Sequence, residues 1–153
     1  MIVYRISKGK YKDDLSGTGA ELYGGRWNNK GNKMLYTASS RALAMAEVAV
    51  HVDYGILPTD YFLISISVPD TKILEVNLKL LAGFDWRTNP PSPITQYMGD
   101  DFLLGLKGLV LRAPSVVVPG DSNILINPLH KDFSKVKVKK VEPFKFDPRL
   151  FGI

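Results

Sequence analysis

The 153-residue chain has no cysteine, which removes disulfides, thiolate zinc sites and a cysteine nucleophile together. Histidine is scarce as well: His51 and His130 are the only two, too few for a multi-histidine metal centre in one chain. No apolar run reaches the length of a membrane span, and the opening MIVYRISKGK lacks the layout of a signal peptide. A soluble cytoplasmic protein is therefore expected. Also missing are a G-x-S-x-G elbow, a P-loop and the spaced glycines of a dinucleotide-binding Rossmann unit, so a serine hydrolase or an enzyme built on either nucleotide motif is not indicated.

What is present fits one globular domain over 1–153: 45% of residues are hydrophobic and 23% charged. The net charge of +5 and pI near 9.4 first suggest a nucleic-acid partner. Its distribution argues otherwise. The first 130 residues hold 13 basic and 12 acidic groups, and the last 23 hold 7 and 3. Within that tail, SKVKVKKV (134–141) alternates Lys with Val, as an edge strand with one solvated face does.

Met1–Ile6 reads as a strand with Arg5 near its end, and 16–32 (SGTGAELYGGRWNNKGN) as a glycine-rich loop. A strand over Met34–Ala38 leads to Ser39 or Ser40 as N-cap of a helix, ALAMAEVAV, apolar on nearly every face and so expected to be buried. Tyr61–Val68 alternates as a half-buried strand with Phe62, Ile64, Ile66 and Val68 inward. Residues 83–101 read as a long loop, a candidate lid, with room for a short helix from Ile94. Leu109–Arg112, Ser115–Val118 and Ile124–Ile126 read as three further short strands. Many short strands with one clear helix make an α+β domain.

Glu47 is the only acid in that helix, and a carboxylate there must be paired, protonated or functional. Arg5 and Arg26 are upstream partners for either a core ion pair or a phosphate-binding cleft. Gly24-Gly25-Arg26-Trp27 frees backbone amides and adds a guanidinium and an indole face, or is a surface turn whose Trp packs inward. Tyr36 can stack on a planar ring or serve as core. His51 follows Glu47 by four residues, on the same helix face and within reach of a hydrogen bond, a structural role in the first instance.

The strings YRI, SGTGAELYGGRWNNKGNKMLYTASSRALAMAEVAVH, PSVVVPGDSNILINPLHKDF and FDPRLF, spread from residue 4 to 151, together resemble the RES domain family. The resemblance implies an ADP-ribosyltransferase-like fold, a split, mostly antiparallel β core with few helices around an NAD cleft. It implies the toxin of a bacterial toxin–antitoxin pair, cleaving the nicotinamide–ribose bond of NAD by hydrolysis or phosphorolysis. Alternatively, it transfers ADP-ribose to a cellular protein. Carried over by motif, Glu47 is the central catalytic carboxylate, Arg5 grips the nucleotide and Arg26 its phosphates. Tyr36 stacks on nicotinamide, the family serine falls on Ser115 rather than Ser122, and Asn123 contacts the ligand. The implied partner is an Xre-type helix-turn-helix antitoxin; no metal, no cofactor beyond NAD as substrate, no membrane and no direct nucleic-acid contact is implied. From a different class, a nucleic-acid-binding module would use the basic tail and the Arg26-Trp27 loop.

Overall fold

The computed structural model describes residues 1–153. Seven strands and four α-helices follow one another along the chain: β1 (Ile2–Lys8), α1 (Thr18–Tyr23), β2 (Leu35–Ala38), α2 (Arg41–Ala49), β3 (Tyr61–Ser67), β4 (Ile73–Glu75), α3 (Leu78–Leu81), α4 (Pro93–Gly105), β5 (Val110–Pro114), β6 (Ser122–Ile126) and β7 (Lys137–Phe144). The strands form one sheet in the order β4-β5-β6-β2-β1-β3-β7, antiparallel except for the β4·β5 pair.

The sheet is nearly cut in two at its centre. β1 pairs with β3 along its whole length, from Ile2 opposite Ser67 to Lys8 opposite Tyr61. With β2 it shares a single register pair, Tyr4 opposite Ala38. On the other side, β2 is fully paired with β6 from Leu35–Ile126 to Ala38–Asn123. A three-stranded and a four-stranded half therefore meet at one pair. This is the split, mostly antiparallel α+β core that the sequence implied.

Side-chain alternation assigns the two faces. Val3, Leu35, Ile64, Ile66, Ile124 and Ile126 share one cluster that runs across both halves on one face. The opposite face carries two separate clusters. One, around Trp27, Trp86, Phe102, Leu103 and Leu125, joins α4 to the four-stranded half. The other, around Ile6, Leu43, Ala44, Leu63 and Phe146, seats α2 on the three-stranded half. The gap between them lies over the split. Because both faces are covered, β3 is more than half-buried: Leu63 and Ser65 are buried along with Ile64 and Ile66.

Several local expectations need correction. α2 starts where foreseen, with the Ser40 hydroxyl accepting from the Leu43 amide at 3.1 Å. It is not buried all round: only Leu43 and Ala44 are, and Val50 beyond its end is 57% exposed. Met45, Val48 and Ala49 pack only partly against that core, and Val48 also lines the gap. The glycine-rich loop contains the short helix α1. The helix foreseen from Ile94 runs the full length of α4, with Pro93 in its first turn, where a missing N–H costs nothing. Ser115–Val118 is a turn, not a strand, because Pro114 ends β5 and the Ser115 amide bonds back to the Asp121 carbonyl at 2.9 Å. β7 is the lysine-bearing sheet edge that the alternation indicated.

α4 grips the 25–29 segment at close range. Gln96 Nε2 donates to the Gly25 carbonyl at 3.1 Å, and the Asp100 carboxylate accepts from the Asn29 amide and side chain at 3.1 and 2.7 Å. Between them, Gly99 lies so near the Trp27 backbone that an added Cβ would stand 1.5 Å from the Trp27 carbonyl oxygen. Gly99→Ala should therefore destabilise the fold by at least about 1–3 kcal/mol. Gly105→Ala, with open space around it, should be neutral or stabilising by up to about 1 kcal/mol. Thermal or urea unfolding of the two variants measures both; equal effects would contradict the packing described.

Candidate functional site

Three chain segments meet at the Glu47 carboxylate. α2 carries Glu47, the turn after β5 carries Ser115, and β6 carries Asn123. Glu47 Oε1 accepts from Ser115 Oγ at 2.9 Å and from Asn123 Nδ2 at 2.8 Å. Ser115 Oγ itself accepts from the Val117 and Val118 amides at 3.1 and 3.0 Å. One donor and two acceptor sites are all a hydroxyl has, so Ser115 is saturated. It is 4% exposed and gives its proton to Glu47; a nucleophile would need a free lone pair and access. Ser122 starts β6 opposite Pro114, with no hydrogen bond from its hydroxyl to Glu47. The serine that touches the carboxylate is Ser115.

Glu47 has no ion-pair partner, so it is not the core Glu–Arg pair weighed above. Its Oε2 makes no hydrogen bond and is left for whatever occupies the cleft. That cleft, about 880 Å³, lies over the split and is lined by Arg5, Arg26, Tyr36, Glu47 and Asn123 together with the apolar side of α2. Its volume is within the range of roughly 300–1,000 Å³ usual for ligand sites.

The two foreseen arginines both line it, and each is also held within the protein. Arg5, on β1, donates through Nη1 to the Asp14 carbonyl. Burial pulls its pKa below the usual guanidinium value, and the Asp14 charge opposes that shift. Arg26 Nη1 donates to the Trp86 and Thr88 carbonyls, both at 3.0 Å. Burial lowers its pKa too, opposed by the charge of Glu47. A guanidinium remains charged under such shifts.

Tyr36 is fixed by its hydroxyl, which accepts from the Trp27 amide at 3.0 Å and donates to Asn28 Oδ1 at 2.7 Å. Burial raises its pKa well above the ordinary tyrosine value, so it stays neutral. The hydroxyl lies where a side chain at 25 would start: a Cβ on Gly25 would stand 2.6 Å from it. Here a glycine is required by close approach. Trp27 offers no stacking surface; it is 1% exposed and packs against Trp86 with ring centroids 6.1 Å apart. His51 lies past the end of α2, exposed on the cleft rim, without the hydrogen bond to Glu47 that its spacing suggested. Arg87 and Asn89, from the 83–92 segment, also line the cleft and were missed. The Trp86-Arg87 dipeptide, which inverts Arg26-Trp27, was the available signal. Nowhere do three Asp, Glu or His side chains gather as a metal would require.

This split α+β sheet is a fold shared with a chain of a solved toxin–antitoxin complex. The crystal structure of the Mycobacterium tuberculosis MbcT–MbcA toxin–antitoxin complex contains a chain that matches 99% of this one and 86% of its own length, with a TM-score of 0.68 at 20% identity. The RES domain model matches residues 2–147, and the chain belongs to the RES domain family. Its relatives are toxins. Toxin Res of Photorhabdus laumondii is 40% identical over 98% of this chain and 97% of that protein. The Prs ADP-ribosylating toxin of a Sphingobium species is 39% identical over 90% and 87%. Toxin Res of Yersinia enterocolitica is 40% identical over 98% and 99%.

Ser115→Ala removes a donor from Glu47 and an acceptor from two turn amides, and should cost about 1–3 kcal/mol of stability. Ser122→Ala should stay within about 0.5 kcal/mol of wild type. Chemical denaturation of both variants decides between the serines; the reverse order would contradict the tether.

Proposed function

We propose that the cleft binds NAD and that the protein is a toxin that breaks its nicotinamide–ribose bond. The observation that carries this reading is the Glu47 carboxylate, held through one oxygen by Ser115 and Asn123 and presenting the other to a dinucleotide-sized cleft.

The chemistry follows from that geometry. The bond from ribose C1′ to the ring nitrogen of nicotinamide breaks with its electron pair passing to the nitrogen, so a cationic ring leaves as neutral nicotinamide. Positive charge develops on the ribose, and a preorganised carboxylate stabilises it. An oxygen nucleophile, from water or phosphate, then forms the new bond to C1′ and loses its proton where it has one to lose. No general acid is needed at the leaving group, which suits a site whose histidine is on the rim and unconnected to Glu47. Tyr36, neutral and pinned by its hydroxyl, presents its ring to the nicotinamide. The guanidiniums lining the cleft hold the pyrophosphate in place.

A second reading shares the first step and differs in the acceptor: ADP-ribose passes to a protein. It is favoured by the Sphingobium relative, which is named an ADP-ribosylating toxin and covers most of this chain. An antitoxin partner is proposed from the solved complex of the same fold.

The test uses purified protein, NAD, and mass analysis of products with and without phosphate, alongside labelled NAD in cell lysate. Wild type should release nicotinamide, with ADP-ribose, its 1-phosphate or a labelled protein band identifying the acceptor. Glu47→Gln should lower the rate by at least about a hundredfold. Nicotinamide release by the variant at the wild-type rate would overturn the mechanism.

A further inference from the structure

Of the three arginines lining the cleft, two are partly committed to backbone carbonyls. Arg5 Nη1 is held by Asp14 and Arg26 Nη1 by Trp86 and Thr88. Arg87 is the third, and it donates to no protein acceptor and enters no ion pair. It is nonetheless placed with care. Its guanidinium stacks on the Trp86 ring, 4.4 Å from the ring centroid. Trp86 is 6% exposed and braced in turn against Trp27, so the platform is rigid. A guanidinium stacked by its face keeps its in-plane N–H donors open, in the fork geometry that matches a phosphate.

The tether from Arg26 completes the arrangement. The two carbonyls it holds belong to residues 86 and 88, on either side of Arg87. One cleft arginine thus fixes the backbone that presents another. An ordinary surface arginine needs neither a buried platform nor a clamp on both neighbouring carbonyls.

We propose that Arg87 is the guanidinium that grips the ligand's phosphate groups, and that Arg26 is a positioning residue that acts through it. This rests on the reading of the cleft as a site for a phosphate-bearing nucleotide, and it moves the main phosphate contact to the 83–92 segment. Stacking has already restricted the Arg87 side chain, so little rotamer freedom remains to be lost on binding.

The experiment measures binding apart from turnover. ADP-ribose, and adenosine as a phosphate-free probe, are titrated calorimetrically into wild type, Arg87→Gln, Arg87→Lys, Arg26→Gln and the double variant. Arg87→Gln should raise the ADP-ribose Kd by about ten- to a hundredfold and leave adenosine unchanged. Arg87→Lys should fall between, keeping charge without the fork. Because Arg87 is exposed, its variants should melt with the wild type. The double variant should bind no more weakly than the worse single one. Additive losses would put Arg26 on the ligand independently and remove its positioning role. Unchanged ADP-ribose affinity in Arg87→Gln, or an equal loss for adenosine, would overturn the proposal while leaving NAD cleavage by wild type intact. Should wild type cleave no NAD yet bind ADP-ribose with the expected pattern, the proposed reaction fails and the assignment of Arg87 stands. Absence of ADP-ribose binding by wild type overturns both.

Discussion

One backbone pair, Tyr4 opposite Ala38, is the only strand pairing between the two halves of the sheet. Everything about the site depends on that near-separation. A continuous β1·β2 ladder would bring the strands to ordinary spacing along their length and close the space between them. Instead, the strands diverge from a single point, and the residues flanking it face the opening: Tyr4, Arg5 and Ile6 from β1, Tyr36, Thr37 and Ala38 from β2. The continuous apolar cluster on the far face, from Val3 and Ile64 to Ile124 and Ile126, holds the halves together where hydrogen bonds do not. Hydrophobic packing on one face is therefore what permits an open cleft on the other.

Within the cleft, polar side chains are allotted between holding the protein and meeting a ligand. Glu47 uses one oxygen for Ser115 and Asn123 and keeps the other. Arg5 and Arg26 each use one nitrogen for backbone carbonyls. Tyr36 uses its hydroxyl for the 27–28 turn and leaves its ring on the wall. Such tethering is the preorganisation on which the proposed reaction would draw. It also makes the site sensitive to changes outside it: α4, through Gly99 and Asp100, sets where the 25–29 segment and hence the Tyr36 hydroxyl lie.

Much of this was legible in the sequence. The α+β class, the Ser40 cap, the lysine edge and the grouping of Arg5, Arg26, Tyr36, Glu47 and Asn123 all follow from local pattern or from the family resemblance. What failed was context. Alternation in 61–68 showed one apolar face but could not reveal that the other is covered by α2. A helix apolar on nearly every face suggested burial, whereas α2 lends Ala44, Glu47 and Val48 to the cleft. Trp27 beside Arg26 suggested a stacking platform, and tertiary packing against Trp86 consumed it. Proline-rich 83–101 suggested only a short helix from Ile94 where α4 runs from Pro93 to Gly105, because Pro93 enters a helix as readily as it breaks one. The contribution of Arg87 depends on contacts some sixty residues apart in the chain, at Arg26, which no short-range pattern records.

In the proposed complex the split sets a tethered carboxylate at the ribose of a bound dinucleotide. The decisive measurement is a crystal structure with a non-cleavable NAD analogue, its nicotinamide-ribose ring oxygen replaced by carbon. The nicotinamide ring should lie against Tyr36, with the adjoining ribose hydroxyls within hydrogen-bond distance of the free Glu47 oxygen. A dinucleotide bound elsewhere, or seated with its adenine end over Glu47, would contradict it.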